Sequence, residues 1–298
     1  MQAGLLVLAA ALPLAAGDQP LNQVLSRVSE EAEVFRLTAP RLLAQEKLVQ
    51  RTIKPPRRFR PRVGAGALAP PKPQYRTREV ISEYAFGNFK ESPGVLHEFR
   101  QVMSVDGRQL ANIDKARETL TAGAHSADDR VKKRLLEKFE KYGLSGAAAD
   151  FGQVLLLFTR QRLPDYTFTE ERDGQVGADR ARVLAFKQKS GSESLVIFRG
   201  RKALHQPLEG QLWVRADDSM PLRVVLTTSR MESGKSYTDE ATVDYVLTPH
   251  GYVAPISVVH RGSIGSDVVV ENTCEYTAFQ VFKADAEVQF KGEAPLHK

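Results

Sequence analysis

Apolar residues recur at steps of three and four through Leu21, Val24, Leu25, Val28, Ala32 and Phe35, which puts them on one face of an amphipathic helix. Pro40 ends that helix, because proline has no N–H to continue the backbone ladder. Residues 42–53 alternate in part, with Leu48, Gln50 and Thr52 against Val49, Arg51 and Ile53. This fits a first strand better than a second helix. Strand-like segments follow at 78–86 and 95–105, and the pair Asp106-Gly107 turns the chain into residues 108–110.

The clearest helical signal lies at residues 128–142, where Val131, Leu135, Leu136 and Phe139 share a face and Lys132, Lys133, Arg134, Glu137 and Lys138 cover the other. Gly143 is placed to stop it. A second helix is expected at 147–160, where Phe151, Val154, Leu155, Leu156, Leu157 and Phe158 are apolar almost all round. A helix of that kind is buried on more than one side.

After Leu163-Pro164-Asp165 the period changes to two. Strands are expected at 166–170, 181–188, 194–199, 209–216, 222–230, 236–248, 252–261 and 267–279, separated by short breakers such as Ser190-Gly191, Ser233-Gly234 and Pro249-His250-Gly251. Short breakers between successive strands imply hairpins and an antiparallel meander. A small closed barrel fills its interior with side chains and leaves no room for a helix. The apolar helix at 147–160 therefore favours the fold class α+β, with a strongly curved antiparallel sheet, an open half-barrel, wrapped around one or more helices.

Composition adds compartment and excludes disorder. The chain has 298 residues, is 42% hydrophobic and carries a formal charge of +6, enough to bury a full core and basic enough to permit contact with anionic surfaces. Residues 1–17 hold an apolar run that ends in Ala15, Ala16 and Gly17, the pattern of a cleaved export signal, although no Lys or Arg precedes it. A periplasmic or secreted protein is the expectation. Cys274 is the single cysteine, which rules out an intramolecular disulfide and reads as a small core residue. Residues 54–74 interleave Pro55, Pro56, Pro61, Pro70, Pro71 and Pro73 with Arg57, Arg58, Arg60 and Arg62. Such an insert cannot build a packed element and reads first as an extended, flexible loop kept soluble by its charge, and second as a basic arm that touches anionic headgroups or a partner.

Motif tests remove most chemistry. Gly234-Lys235-Ser236 lacks the upstream glycine of a phosphate-binding loop, where Ser229 stands, and falls at a hairpin tip. The six histidines never occur at i, i+4 spacing, and no G-x-S-x-G elbow is present. His250 and His260 are placed where the ends of one hairpin could bring them together. The paired carboxylates are adjacent in sequence at helix starts or turns, the places of caps. Trp213, the sole tryptophan, reads first as a core anchor and second as a ring against a ligand. Aromatics are not interleaved with the basic residues, so nucleic-acid binding has no support beyond charge.

The stretch Leu208-Glu209-Gly210-Gln211-Leu212-Trp213-Val214-Arg215 with Pro221-Leu222-Arg223-Val224, then Val243-Asp244-Tyr245 with Pro255, and Tyr276, Phe279 and Phe282, resembles the back half of LolA-like proteins, outer-membrane lipoprotein carriers and their secreted relatives. Ser104-Val105-Asp106-Gly107-Arg108 also resembles the V-D-G-[RK] hairpin of that group. The resemblance covers roughly residues 77–290, and the Pro/Arg insert departs from the carriers. It implies an open half-barrel with an apolar concave face covered by helices, and acyl chains as the ligand class; no family binding residue maps position by position.

The expected function is a non-enzymatic binding or carrier-like protein for a lipid or other apolar molecule, with no cofactor and no metal. Phe151, Leu155, Phe158, Trp213, Leu226 and Tyr245 are the candidate ligand-contacting residues. The competing expectation is an interaction protein with a filled core whose basic insert docks on a partner or membrane. The expected organisation is a leader at 1–17, a helix and first strand at 18–53, the insert at 54–74, the sheet with its helices at 75–290, and a tail at 291–298.

Overall fold

Side-chain alternation decides which face each strand turns inward, and one long sheet follows from it. The computed structural model describes residues 19–54, 73–142, 144, 150–192, 195–199 and 202–281. The expected leader, residues 55–72 of the insert, positions 147–149 and the 291–298 tail lie outside these.

Helix α1 (Leu21–Thr38) ends in a 3₁₀ turn, Ala39–Arg41, that contains Pro40. The chain then runs through β1 (Leu42–Ile53), β2 (Tyr75–Phe89), β3 (Ser92–Val105), the short β4 (Arg108–Gln109), α2 (Ile113–Ala124) and α3 (Asp129–Glu140). Asn112 caps α2 by accepting from Lys115 N at 2.9 Å, and Asp128 caps α3 by accepting from Arg130 N. A 3₁₀ segment, Phe151–Phe158, follows. The remaining strands are β5 (Tyr166–Glu170), β6 (Gly174–Val176), β7 (Asp179–Gln188), β8 (Leu195–Arg199), β9 (Lys202–Gln206), β10 (Glu209–Arg215), β11 (Pro221–Glu232), β12 (Lys235–Leu247), β13 (Val253–Ile264) and β14 (Asp267–Val281).

Twelve strands form one antiparallel sheet in the order β4-β3-β2-β1-β14-β13-β12-β11-β10-β7-β5, with β6 paired to β7; β8 and β9 form a separate hairpin. Among the described residues β4 and β5 do not pair, so the sheet is a curved, open one. The α+β half-barrel expected from the sequence is the architecture observed. Hairpin turns close β3 to β4 and β11 to β12 with two successive positive-φ residues, Asp106-Gly107 and Ser233-Gly234, the conformation that matches strand twist.

The inner face packs α1 and the 3₁₀ segment. Val24, Val28, Ala32 and Phe35 of α1 meet Leu155 and Phe158 and the inward residues Leu48, Phe86, Leu184, Leu212, Val224 and Val243, all almost fully buried. Each of the Val, Leu and Phe side chains contributes roughly 1.5–3 kcal/mol relative to exposure. A second cluster, Leu43, Ala85, Phe89, Phe99, Leu120, Ala124 and Leu135, joins α2 and α3 to the outer face of β1–β3. Helix α3 straddles the β3 edge, because Leu135 enters this outer cluster while Phe139 enters the inner one. That cover protects an edge that β4 pairs over only two residues.

Three expectations need correction. The helix expected at 147–160 is a 3₁₀ segment over Phe151–Phe158 where it is described. Helix α2 has no counterpart in the sequence reading, because its buried positions, Ala116, Leu120, Gly123 and Ala124, are mostly small. Strands β6 and β9 were likewise not expected; the Asp173-Gly174 breaker leads directly into β6.

Candidate functional site

Five of the six candidate contact residues meet on the inner face. Leu155, Phe158, Leu226 and Tyr245 are buried in one cluster, with Phe151 packed against its edge. Phe158 sits among Phe186, Tyr166 and Phe168, with ring centroids 5.2, 6.1 and 6.1 Å away. The trough between sheet and α1 is thus filled by the 3₁₀ segment itself.

Trp213 is elsewhere. On β10, Leu212 and Val214 point inward, and period two sends Trp213 to the outer face. There its ring meets the Arg223 guanidinium at 5.7 Å, donates from Nε1 to Gln211 Oε1 at 3.1 Å, and lies so close to Gly174 that no side chain fits at that position.

A buried polar centre holds the 3₁₀ segment in place. Gly152 N–H donates to Glu98 Oε1 at 2.6 Å. Tyr245 supplies two more anchors: its hydroxyl donates to Gly152 O at 3.1 Å and accepts from Leu155 N at 3.0 Å. Gly152 is required here, since a Cβ would stand 2.8 Å from Tyr84 Oη and 2.9 Å from Glu98 Oε1. Asp150, just before the segment, accepts from Glu98 N at 3.3 Å and stands 3.5 Å from His97 Nδ1.

Behind these contacts lies an ion cluster on β1 and β3, with β2 between them. Arg100 of β3 donates from Nε and Nη2 to Glu46 of β1 at 2.7 and 3.0 Å, and from Nη2 to Glu98 Oε2 at 2.7 Å. Its guanidinium lies over the rings of Phe139 and Tyr84, 5.0 and 5.2 Å from their centroids. Burial works against the Arg100 charge, but Glu46 and Glu98 outweigh it and hold its pKa above the usual value. Burial pushes the Glu98 carboxyl up to about 8; Arg100 opposes this, and Asp150 and Glu46 add to it. Tyr84, Tyr245, Tyr276 and Cys274 are also raised, chiefly by burial.

Toward the other end of the trough a polar row crosses the strands. Gln50 Nε2 donates to Asn272 Oδ1 at 2.5 Å, Asn272 Nδ2 meets His260 Nδ1 at 3.1 Å, and His260 Nε2 meets Asp239 Oδ1 at 3.3 Å. Phe151 stacks on His260 at 4.6 Å. His260 does meet a carboxylate, yet at 4% exposure it is sealed beneath that ring. His250 contacts Phe279 O instead, so the two histidines of the 250–260 hairpin share no partner. The side chain of His205 lies outside the described residues. Among the described residues no group of three or more His, Cys, Asp or Glu side chains can hold a metal, and no helix is long and apolar enough to cross a membrane.

Glu46, Glu98 and Arg100 were not singled out from sequence. The signal was present: they share the strand parity of Leu48, Leu96 and Val102, which places all of them on the inner face.

No family model matches the chain, and no curated protein matches it. Among solved structures, it is similar to a LolA superfamily protein from Nitrosomonas europaea, at 12% identity and TM-score 0.30, covering 88% of this chain and 93% of that one. It is also similar to a DUF1329 family protein from Desulfovibrio piger, at 10% identity and TM-score 0.35, covering 90% and 95%. Likeness at this level bears on no functional statement; the open half-barrel stands on the strand pairing itself.

Proposed function

We propose that this chain is an exported, non-enzymatic carrier-like protein that binds a lipid or other apolar molecule on the inner face of its sheet, in the trough that the 3₁₀ segment fills when no ligand is bound. The observation that carries this reading is the segment itself. It is eight residues long, whereas 3₁₀ runs beyond three or four residues are uncommon because their hydrogen-bond geometry is poorer than that of an α-helix. A segment so built gives up little internal structure when displaced. Its side chains contribute apolar contact to the trough, and an acyl chain offers the same kind of contact to Leu226, Phe186, Val224 and Phe86. Phe151, Leu155 and Phe158 leave with the segment, while Leu226 and Tyr245 stay on the wall.

The filled trough also favours a second reading, an interaction protein with a complete core that uses its basic residues 54–74 on a partner or an anionic membrane. One titration separates the two. Full-length protein stripped of lipid is mixed with the uncharged fluorescent probe N-phenyl-1-naphthylamine and then with palmitate. Carrier function predicts saturable probe uptake that palmitate reverses. Absence of uptake, together with no lipid on the protein as purified, supports the second reading instead.

A further inference from the structure

We propose that Glu98 is a pH-operated latch on the 3₁₀ segment, closing the trough while its carboxyl is protonated and favouring the open, ligand-accepting form once it ionises. This rests on the carrier reading above and adds a regulation to it.

Glu46, Glu98 and Arg100 are 0%, 1% and 5% exposed, so two carboxyl groups share one guanidinium. Arg100 gives Glu46 a two-pronged pair and Glu98 a single bond. A bidentate pair is the stronger of the two, so one positive charge is divided between two carboxyl groups, with the larger share on Glu46. Two carboxylates beside one guanidinium carry a net buried negative charge, which is unfavourable in a low-dielectric interior. The upward shift of the Glu98 pKa to about 8 agrees with this geometry.

The groups that face Glu98 from each packed element do not supply the missing charge. Glu46 on β1 and Asp150 before the 3₁₀ segment are acidic. Tyr84 on β2, Tyr245 on β12 and Tyr276 and Cys274 on β14 all have raised pKa values and stay neutral below pH 8. Tyr84 Oη finds no hydrogen-bond partner among the described residues, so it does not stabilise a carboxylate either. His97 touches Asp150 rather than Glu98, and His260 stacks on Phe151 of the segment itself; the Glu98→Gln variant keeps both imidazoles and so controls for them.

The segment is what keeps Glu98 dry, since Gly152 sits on its Oε1. When the segment leaves, water reaches the carboxyl and its pKa falls back toward the ordinary 4.5. The closed form therefore binds a proton that the open form lacks between those two pH values. Closure is favoured most at the acid end, weakens as pH rises through the window, and stops changing above about 8. Within the window the closed-to-open ratio falls by up to about tenfold per pH unit for one linked proton.

The test is the probe affinity of full-length, lipid-stripped protein at several values between about pH 5 and pH 9, for wild type, Glu98→Gln and His97→Gln. The Glu98→Gln side chain cannot ionise, and its single amide oxygen can accept from Gly152 or from Arg100 but not from both, because the two donate to different carboxyl oxygens in the wild type. We expect wild-type affinity to rise at least tenfold over the range, Glu98→Gln to lose that rise, and His97→Gln to follow wild type. A flat wild-type profile with clear probe binding, or a Glu98→Gln profile that rises like wild type, overturns the latch and leaves the carrier reading standing. Absence of probe binding at every pH overturns both. If Glu98→Gln does not fold, carbon-13 NMR of glutamate-labelled wild type reads the same proton directly. A Glu98 pKa near 8 that drops toward 4.5 when the probe is bound supports the latch, and one that does not move overturns it.

Discussion

Arg100 reaches across β2 to hold Glu46 with two hydrogen bonds, Nε at 2.7 Å and Nη2 at 3.0 Å, so that an ion pair shut off from water ties β3 to β1 over a strand that separates them in the sheet. Its energetic weight lies in what its loss leaves behind. A buried pair is often no better than an apolar replacement of similar volume, but one orphaned partner is a severe cost.

Arg100→Met should therefore destabilise the fold by about 3–5 kcal/mol, because Glu46 stays buried without a cation. The double variant Arg100→Met, Glu46→Leu should recover most of that loss. Urea unfolding of both variants at one pH measures the difference; equal losses in the single and the double variant contradict the assignment.

Gly210→Ala tests the register of β10 against β11. A Cβ at this position runs directly into the carbonyl oxygen of Val225. That atom belongs to the paired strand and cannot rotate away as a side-chain tip can. The variant should lose stability at the upper end of the roughly 1–3 kcal/mol typical of overpacking, or fail to fold. Gly234→Ala at the β11–β12 tip meets nothing within 4 Å, so only its positive φ of 74° resists substitution and its loss should be smaller. Thermal unfolding of the two variants side by side checks the order.

Trp213 lies on the outer face, against Arg223 and Gly174, so Trp213→Phe should leave probe affinity within about twofold of wild type and cost only about the 0.5–1 kcal/mol of an exposed cation–π contact plus some lost area. A large loss of affinity in this variant would return the tryptophan to the ligand site.

Much of the fold was legible because period-two alternation and short breakers are local signals. The meander from β10 to β14 and the strand at β1 follow from them. The 3₁₀ segment was located but its backbone form was not. A run that is apolar on every side says that it is buried, whereas the form is set by contacts from distant strands, Glu98 to Gly152 and Tyr245 to Leu155. Helix α2 stayed hidden because Ala116 and Ala124 bury small side chains that barely mark a hydrophobic stripe. Trp213 was misplaced for a reason available in the sequence: Leu212 and Val214 flank it, and all three cannot face inward. The polar centre went unread because Glu46, Glu98 and Arg100 carry charge, and charge in a strand ordinarily points to solvent.

On the proposed carrier function, an apolar ligand enters by displacing the 3₁₀ segment Phe151–Phe158. Amide hydrogen exchange at Gly152 and Leu155, followed by NMR with and without saturating palmitate, tests it most directly. Displacement of the segment predicts that both amides, bonded to Glu98 and Tyr245 in the closed protein, exchange markedly faster when palmitate is bound. Unchanged or greater protection of both amides in the palmitate-bound protein would contradict it.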